Sequence, residues 1–239
     1  MKLAFRLSRV FLHLFAGLFT CALVFPWIGS ARRDRFVARY SRQLLGICGV
    51  SFAHARGAPA LAHAMIVANH VSWLDIFVIN AMHPSRFVAK SEIREWPVLG
   101  WLVDKAGTVF IARGNRRELR HIFKGMVAAL QRGERVAFFP EGTTAPQGTV
   151  LPFHSNLFEA AVDAKVPIQP YAVRYFDRNG ALHPAVDFIG DMTFAASMVA
   201  ILKADFIRAE LTCLAPIEGT HRRELAAAAH DAIATALGR

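Results

Sequence analysis

A histidine and an aspartate five positions apart are the first residues of this chain whose types and spacing suggest chemistry. His70 and Asp75 lie in the stretch NHVSWLD, residues 69–75. The apolar run 64–67 before this stretch predicts a buried strand, and the run 76–82 after it predicts a helix. A first helical turn can bring Asp75 back against the imidazole, where a carboxylate fixes the tautomer and raises the basicity of the other ring nitrogen. The pair therefore indicates a general base that takes a proton from a substrate hydroxyl.

Such a pair also occurs by chance in a chain with ten histidines, so the rest of the sequence must decide whether this pair is catalytic. Three more predicted strands end in polar residues that can bind an anion or shape a turn. These strands cover residues 86–89, 108–111 and 136–139, and the residues that follow them are Lys90, Arg113, Glu141, Gly142 and Thr143. Ligands of α/β proteins bind at the carboxyl ends of the strands, so we expect these residues to converge with His70 on one cleft. A base, two cations, a carboxylate and a glycine turn suit an anionic substrate whose hydroxyl is to be activated.

The elements that must position these residues alternate between strand and helix from residue 50 onward. Helices are predicted from Pro97, from Asn115 to Gly133, over residues 156–165 with Ser155 as cap, and from Thr220; further strands are predicted at 167–173, 186–189 and 206–214. This alternation predicts the α/β fold class, with a mostly parallel or mixed central sheet flanked by helices.

The N-terminal fifth of the chain differs in character from the rest. Residues 10–28 are nearly all apolar and just long enough to span a bilayer. Residues 32–47 carry five arginines between apolar residues at helical spacing, which suits the lipid headgroup layer or, alternatively, a helix packed on the domain with solvated arginines. We expect residues 1–50 to form membrane-anchoring helices, which span the membrane or lie in one leaflet, and residues 51–239 to form the α/β domain.

Composition agrees with a membrane partner. The 239 residues are 54% hydrophobic with a mean hydropathy of +0.31, and the formal net charge of +10 implies an anionic partner. Charge alone does not separate an anionic membrane from nucleic acid. The aromatic residues lie in apolar runs rather than between basic residues, which disfavours a stacking surface for nucleic acid. The three cysteines have no metal-like spacing, so no metal site is expected.

Four sequence blocks together resemble the glycerolipid acyltransferase family. The stretch 69–75 resembles the NHxxxxD block of that family, residues 107–113 (GTVFIAR) its second block, residues 139–144 (FPEGTT) its FPEGT block, and residues 166–170 (VPIQP) its fourth. The blocks occur in the order and spacing of the family. The resemblance implies a glycerol-3-phosphate acyltransferase-like fold and an enzyme like the 1-acylglycerol-3-phosphate acyltransferases, on the cytoplasmic side of a bacterial-type inner membrane.

The resemblance also implies roles for the residues of the cleft. His70 would be the catalytic base, and Asp75 would orient it. Arg113 would bind the substrate phosphate, with Glu141, Gly142 and Thr143 shaping the pocket. Lys90 is proposed as a second cation from its position at a strand end, not from the resemblance. Alternatives stay open: the two cations can be solvated, Glu141 can hold the turn by accepting backbone N–H bonds, and Ser72 can cap the next helix. No cofactor is implied, because acyl-CoA or an acyl carrier protein supplies the acyl group.

One departure from the family pattern concerns the acceptor. Many members that form phosphatidic acid have an arginine after FPEGT, whereas this chain has Thr144, and His154 stands where a lysine or arginine is frequent. The leading prediction is acyl transfer to lysophosphatidic acid, and transfer to another lysolipid such as lyso-ornithine lipid is the alternative. Two further hypotheses are a lipid or thioester hydrolase, in which His70 activates water, and a basic membrane or nucleic-acid binder without catalysis.

Overall fold

A central β-sheet organises the chain in the computed structural model, which describes residues 2–52, 56–90, 95, 100–101, 105, 108–111 and 116–238. Its strands within these ranges are β1 (Val50–Phe52), β2 (Arg56–Gly57), β3 (Met65–Ala68), β4 (Arg86–Lys90), β5 (Val109–Ile111), β6 (Val136–Phe138), β7 (Ile168–Phe176) and β8 (Ile207–Cys213). Their order is β1-β8-β7-β3-β6-β4-β5, and β2 pairs with β8. β7 and β8 pair antiparallel, and the other strand pairs are parallel. The carboxyl ends of β3, β4, β6 and β7 therefore share one edge.

Helices cover both faces of this sheet. The α-helices of the described residues are α1 (Lys2–Phe19), α2 (Ser30–Cys48), α3 (Leu74–Met82), α4 (Arg116–Gln131), α5 (Glu159–Ala164), α6 (Phe194–Lys203) and α7 (Arg222–Ala236). One buried cluster joins the sheet to α2, α3 and α6, and a second joins it to α4, α5 and α7. All four residues of β3 are buried, as expected for a strand in the middle of a parallel sheet. The predicted α/β class is confirmed.

Two predicted elements need correction. The strand predicted at 186–189 is wrong, because a 3-10 turn occupies Pro184–Val186 and the chain continues as a loop. Proline has no N–H for a strand ladder and suits the first position of a turn. The helix predicted over 156–165 begins later, because Ser155–Phe158 forms a 3-10 turn and α5 starts at Glu159. The predicted start at Pro97 and the cap Asn115 lie outside the described residues.

The N-terminal helices form an antiparallel pair that continues into the domain core. The imidazole Nε2 of His13 on α1 lies 3.0 Å from the carbonyl oxygen of Tyr40 on α2, and the two rings stack 3.9 Å apart. Leu45 and Cys48 at the end of α2 are fully buried in the cluster shared with α3. The segment Lys2–Trp27 has the length and apolar composition that a membrane-crossing helix requires.

Candidate active site

The side chains of His70 and Asp75 meet at the shared carboxyl edge of the sheet. His70 lies two residues after β3, and Asp75 lies in the first turn of α3. The imidazole Nδ1 is 2.8 Å from the carboxylate Oδ2. The Asp75 side chain is fully buried, whereas 19% of the His70 side chain is exposed. The local geometry thus pairs a buried carboxylate with an imidazole that reaches the surface.

Three further donors fix the Asp75 carboxylate. Oδ2 also accepts hydrogen bonds from the backbone N–H groups of Val71 (2.8 Å) and Ser72 (2.9 Å). Oδ1 accepts a hydrogen bond of 2.6 Å from the hydroxyl of Tyr175 on β7. An ionised carboxylate is an acceptor at both oxygens, so these donors match it and hold it in a single orientation. Sequence reasoning missed Tyr175, although a buried tyrosine hydroxyl usually has a partner.

Contacts to the ring and to the backbone of His70 fix the position of its imidazole. The Phe139 ring stacks on it at 3.9 Å between centroids, with an interplanar angle of 7°. The backbone N–H of His70 donates to Glu141 Oε1 at 2.7 Å, and its carbonyl oxygen accepts from the N–H of Ala145 at 2.8 Å. With Nδ1 facing the carboxylate, the proton belongs on Nδ1 and the lone pair on Nε2. Nε2 has no hydrogen-bond partner among the residues that the structure describes, so it is placed to accept a proton from a ligand.

Asn69 fastens the end of β3 to β7 just before the histidine. Its side-chain Nδ2 donates to the carbonyl oxygen of Val173 at 3.0 Å, and its Oδ1 accepts from the Val173 N–H at 2.8 Å. Both bonds are buried and continue the pairing of the two strands beyond Ala68. The amide thus fixes where the backbone leaves the sheet and where His70 begins.

Glu141 is turned inward against the backbone of the site. Only 4% of it is exposed, and its second oxygen, Oε2, accepts from the Leu151 N–H at 2.8 Å. Burial raises the pKa of the Glu141 carboxyl group, while the hydrogen bonds from Leu151 and His70 oppose that shift. Of the two roles that the sequence left open, the hydrogen bonds match that of a residue that holds the turn.

The residues after Glu141 open the turn towards solvent. Gly142 has a φ of +70°, a conformation that residues with a Cβ atom rarely adopt, and Thr143 is exposed. The Thr144 hydroxyl donates to the carbonyl oxygen of Phe188, which fastens the turn to the loop after β7. The hydroxyl oxygen of Ser72 accepts from the Leu74 N–H at 3.4 Å, but Trp73 occupies the cap position of α3 and no side chain caps this helix.

The two candidate cations are Lys90, at the end of β4, and Arg113, which follows β5 in the sequence. Lys90 is the last residue of β4 and therefore ends at the same sheet edge as His70; its side chain lies outside the described part of the chain. Arg113 lies outside the described residues altogether. Their predicted contact with a phosphate therefore remains a prediction.

A mostly parallel sheet with a histidine at its carboxyl edge, held by a buried aspartate, is the arrangement expected of an enzyme that activates a hydroxyl. Residues 50–174 match the Acyltransferase family. A 1-acyl-sn-glycerol-3-phosphate acyltransferase of Neisseria meningitidis is 40% identical over 186 residues, which cover 77% of this chain and 72% of that protein. The chain belongs to the glycerolipid acyltransferase family, as its four blocks predicted.

Two other relatives extend the comparison. A lyso-ornithine lipid O-acyltransferase of Pseudomonas aeruginosa is 39% identical over 173 residues, covering 72% of this chain and 66% of that protein. The crystal structure of the 1-acyl-sn-glycerophosphate acyltransferase of Thermotoga maritima has the same fold, with a TM-score of 0.63 and 20% identity over 97% of this chain and 96% of that one.

Proposed function

We propose that this protein is a membrane-associated O-acyltransferase that moves a fatty acyl group from an acyl thioester to the free hydroxyl of a lysophospholipid, with lysophosphatidic acid as acceptor. The observation that carries the proposal is the buried Asp75 carboxylate on Nδ1 of His70, with Nε2 left open at the sheet edge. Family membership supplies the acyl transfer chemistry, and the geometry supplies its base.

The reaction follows from the two ring nitrogens. Nε2 of His70 takes the proton of the acceptor hydroxyl while that oxygen attacks the thioester carbonyl carbon. The tetrahedral intermediate expels the thiolate, which takes the proton back from the imidazolium and leaves as CoA or carrier-protein thiol. Asp75 stabilises the imidazolium in between, and general base catalysis of this kind contributes about 10²- to 10⁴-fold in rate. No step calls for a cofactor.

Recognition of the acceptor headgroup is assigned to two cations, one at the end of β4 and one after β5. Arg113 would bind the phosphate through its planar guanidinium group, and Lys90 would add a second positive charge. Gly142 and Thr143 would line the glycerol side of the pocket, where the turn faces solvent. Glu141 would serve indirectly, by holding the His70 backbone.

The choice of acceptor has one alternative. The hydroxyl of Thr144 is already bonded to Phe188 and offers no positive charge where many relatives that form phosphatidic acid carry an arginine. A pocket with one fewer cation fits a zwitterionic lysolipid such as lyso-ornithine lipid, and relatives of both kinds are about equally similar to this chain, at 40% and 39% identity. His70 would act in the same way on either hydroxyl.

The bilayer partner is assigned to residues 1–50, with the α/β domain of 51–239 on the cytoplasmic side. Large apolar side chains are exposed along α1 and the turns after it: Phe5, Phe11, Leu12, Phe15, Phe19, Leu23 and Trp27. Such an exposed apolar surface is larger than a protein in water normally carries, and the arginines of α2 beside it suit anionic headgroups.

An acceptor panel tests this function. The full chain, purified in detergent micelles, receives acyl-CoA or acyl carrier protein together with lysophosphatidic acid, lyso-ornithine lipid or no lysolipid. The expected result is acceptor-dependent thiol release, fastest with lysophosphatidic acid, and a diacyl product. A faster reaction with lyso-ornithine lipid would reassign the acceptor. Thiol release at the same rate without lysolipid would instead indicate a hydrolase and overturn the transferase proposal.

A further inference from the structure

The Tyr175 hydroxyl contacts the catalytic pair, although Tyr175 lies outside the four sequence blocks that resemble the family. Tyr175 lies near the end of β7, one hundred positions after Asp75, and its side chain is fully buried. Its hydroxyl donates to Asp75 Oδ1 at 2.6 Å, on the carboxylate oxygen that does not face His70. Imidazole and phenol thus bind opposite oxygens of one carboxylate.

We propose that Tyr175 is a positioning residue for catalysis, which sets the orientation and the effective charge of the Asp75 carboxylate that His70 senses. The proposal rests on the proposed function, because it concerns the base of that reaction. Tyr175 does not touch the substrate and transfers no proton to it. It acts through Asp75, and Asp75 acts through the imidazole.

The surroundings of Tyr175 explain why this hydroxyl can hold the carboxylate so firmly. Its backbone N–H donates to Gln147 Oε1 at 2.7 Å, and its carbonyl oxygen accepts from the His183 N–H at 3.0 Å, so the backbone of the tyrosine is fastened on both sides. Burial raises the pKa of the Tyr175 phenol well above its ordinary value, and the neighbouring Asp75 charge adds to the rise. The phenol therefore keeps its proton and remains a donor across the working pH range.

The charge carried by Asp75 is the physical link to the reaction. A donated hydrogen bond draws negative charge towards Oδ1 and lowers the charge that Oδ2 presents to Nδ1 of the imidazole. Without the hydroxyl, the carboxylate would attract the imidazolium more strongly, and His70 would hold its proton to higher pH. The acidic limb of the pH–rate profile should then move to higher pH. Glu141, a titratable side chain that interacts with both members of the pair, is the same in every variant, and so is His154, which lies beside Gly142.

The same strand provides a matched control. Tyr171 lies four residues before Tyr175 on β7, is also fully buried, and faces the same side of the sheet. Its hydroxyl makes no contact with Asp75 or His70, and its polar neighbour is the Cys213 thiol on β8. Tyr171→Phe therefore removes a buried hydroxyl from the same environment without touching Asp75.

The test measures kcat, KM and the pH dependence of kcat/KM for Tyr175→Phe, for Tyr171→Phe and for the full wild-type chain. At neutral pH we expect Tyr175→Phe to lower kcat, because His70 then holds its proton to higher pH and the carboxylate loses the bond that fixes its orientation. A hydrogen bond to a charged group is worth about tenfold or more in an equilibrium, which sets the scale of the expected loss at about tenfold. KM for the lysolipid should stay nearly constant, and the acidic limb should move to higher pH. Tyr171→Phe should leave kcat and the profile unchanged.

A second variant serves if Tyr175→Phe does not fold. Site-specific 3-fluorotyrosine at position 175 keeps the ring and the hydroxyl but makes the phenol a stronger donor, so the acidic limb should move to lower pH. The downfield proton resonance of the Nδ1–H of His70 supplies a readout that does not depend on turnover, and it should shift in both position-175 variants.

Failure of the role of Tyr175 and failure of the acyltransferase function give different results in these assays. An unchanged pH profile, kcat and Nδ1–H resonance in the position-175 variants would overturn the role of Tyr175 while the unchanged chain still transfers acyl groups. A rise in KM alone, or equal losses in the Tyr171 and Tyr175 variants, would also overturn it. No acceptor-dependent turnover by the unchanged chain would overturn the proposed function, and the Nδ1–H resonance would still report whether Tyr175 acts on the pair.

Discussion

Replacing Asn69 by alanine should destabilise the whole chain, because the Asn69 amide satisfies two buried backbone groups. The change leaves the N–H and the carbonyl oxygen of Val173 without the partners that now lie at 2.8 and 3.0 Å. An unsatisfied buried group costs about 1–3 kcal/mol, so the loss of two partners should lower the free energy of unfolding by about 2–6 kcal/mol. For a chain of this size, each kcal/mol lowers Tm by about 2–4 °C, which gives a decrease of about 4–24 °C.

Denaturant unfolding in detergent micelles, followed by tryptophan fluorescence, measures this loss. Asn156→Ala is the matched control, because Asn156 is exposed in the turn before α5. Asn69→Ala should also lower turnover, since His70 is the next residue. If Asn69→Ala changes the free energy of unfolding by no more than about 0.5 kcal/mol, the range of ordinary surface substitutions, the reasoning about this amide is refuted.

Three further predictions concern the pair, the turn and the membrane surface. Asp75→Asn should lower kcat by about 10³- to 10⁴-fold, because an amide no longer favours the productive imidazole tautomer; an effect on KM alone would contradict this. Gly142→Ala should lower the free energy of unfolding by about 1–2 kcal/mol, because Gly142 has a positive φ and the new Cβ would lie 3.3 Å from a ring carbon of His154. The control Gly125→Ala, at an exposed position inside α4, should stabilise the protein slightly. The double change Phe11→Asp and Phe15→Asp, at two exposed positions of α1, should reduce flotation with anionic liposomes, and undiminished flotation would contradict the membrane assignment.

The part of the site that sequence reasoning predicted is local. His70 and Asp75 are five residues apart, so a strand end followed by a helix start suffices to bring them together. The contacts from Glu141 to His70 and from Tyr175 to Asp75 join residues 71 and 100 positions apart. They exist because β6 and β7 flank β3 in the sheet, and the alternation of strands and helices does not determine that order.

Two parts of the fold show why other features were harder to predict. Helix α6 has the sequence FAASMVAILK, which is apolar on nearly every side and gives no helical period. The sequence feature that indicates this helix is Thr193 at its N-cap, because the Thr193 hydroxyl accepts a hydrogen bond from the Ala196 N–H. The antiparallel pairing of β8 with β7 could not be predicted either, because the pattern of apolar residues in a strand indicates which residues are buried and not the direction of the strand.

The central claim is that Nε2 of His70 accepts the proton of the lysolipid hydroxyl. The most direct measurement is the rate of acyl transfer from acyl-CoA to lysophosphatidic acid by His70→Ala, with the exposed His221→Ala as control and circular dichroism to establish that both variants fold. The predicted result is a loss of about 10²- to 10⁴-fold in kcat for His70→Ala and none for His221→Ala. A folded His70→Ala protein that transfers acyl groups as fast as the unchanged chain would contradict the account.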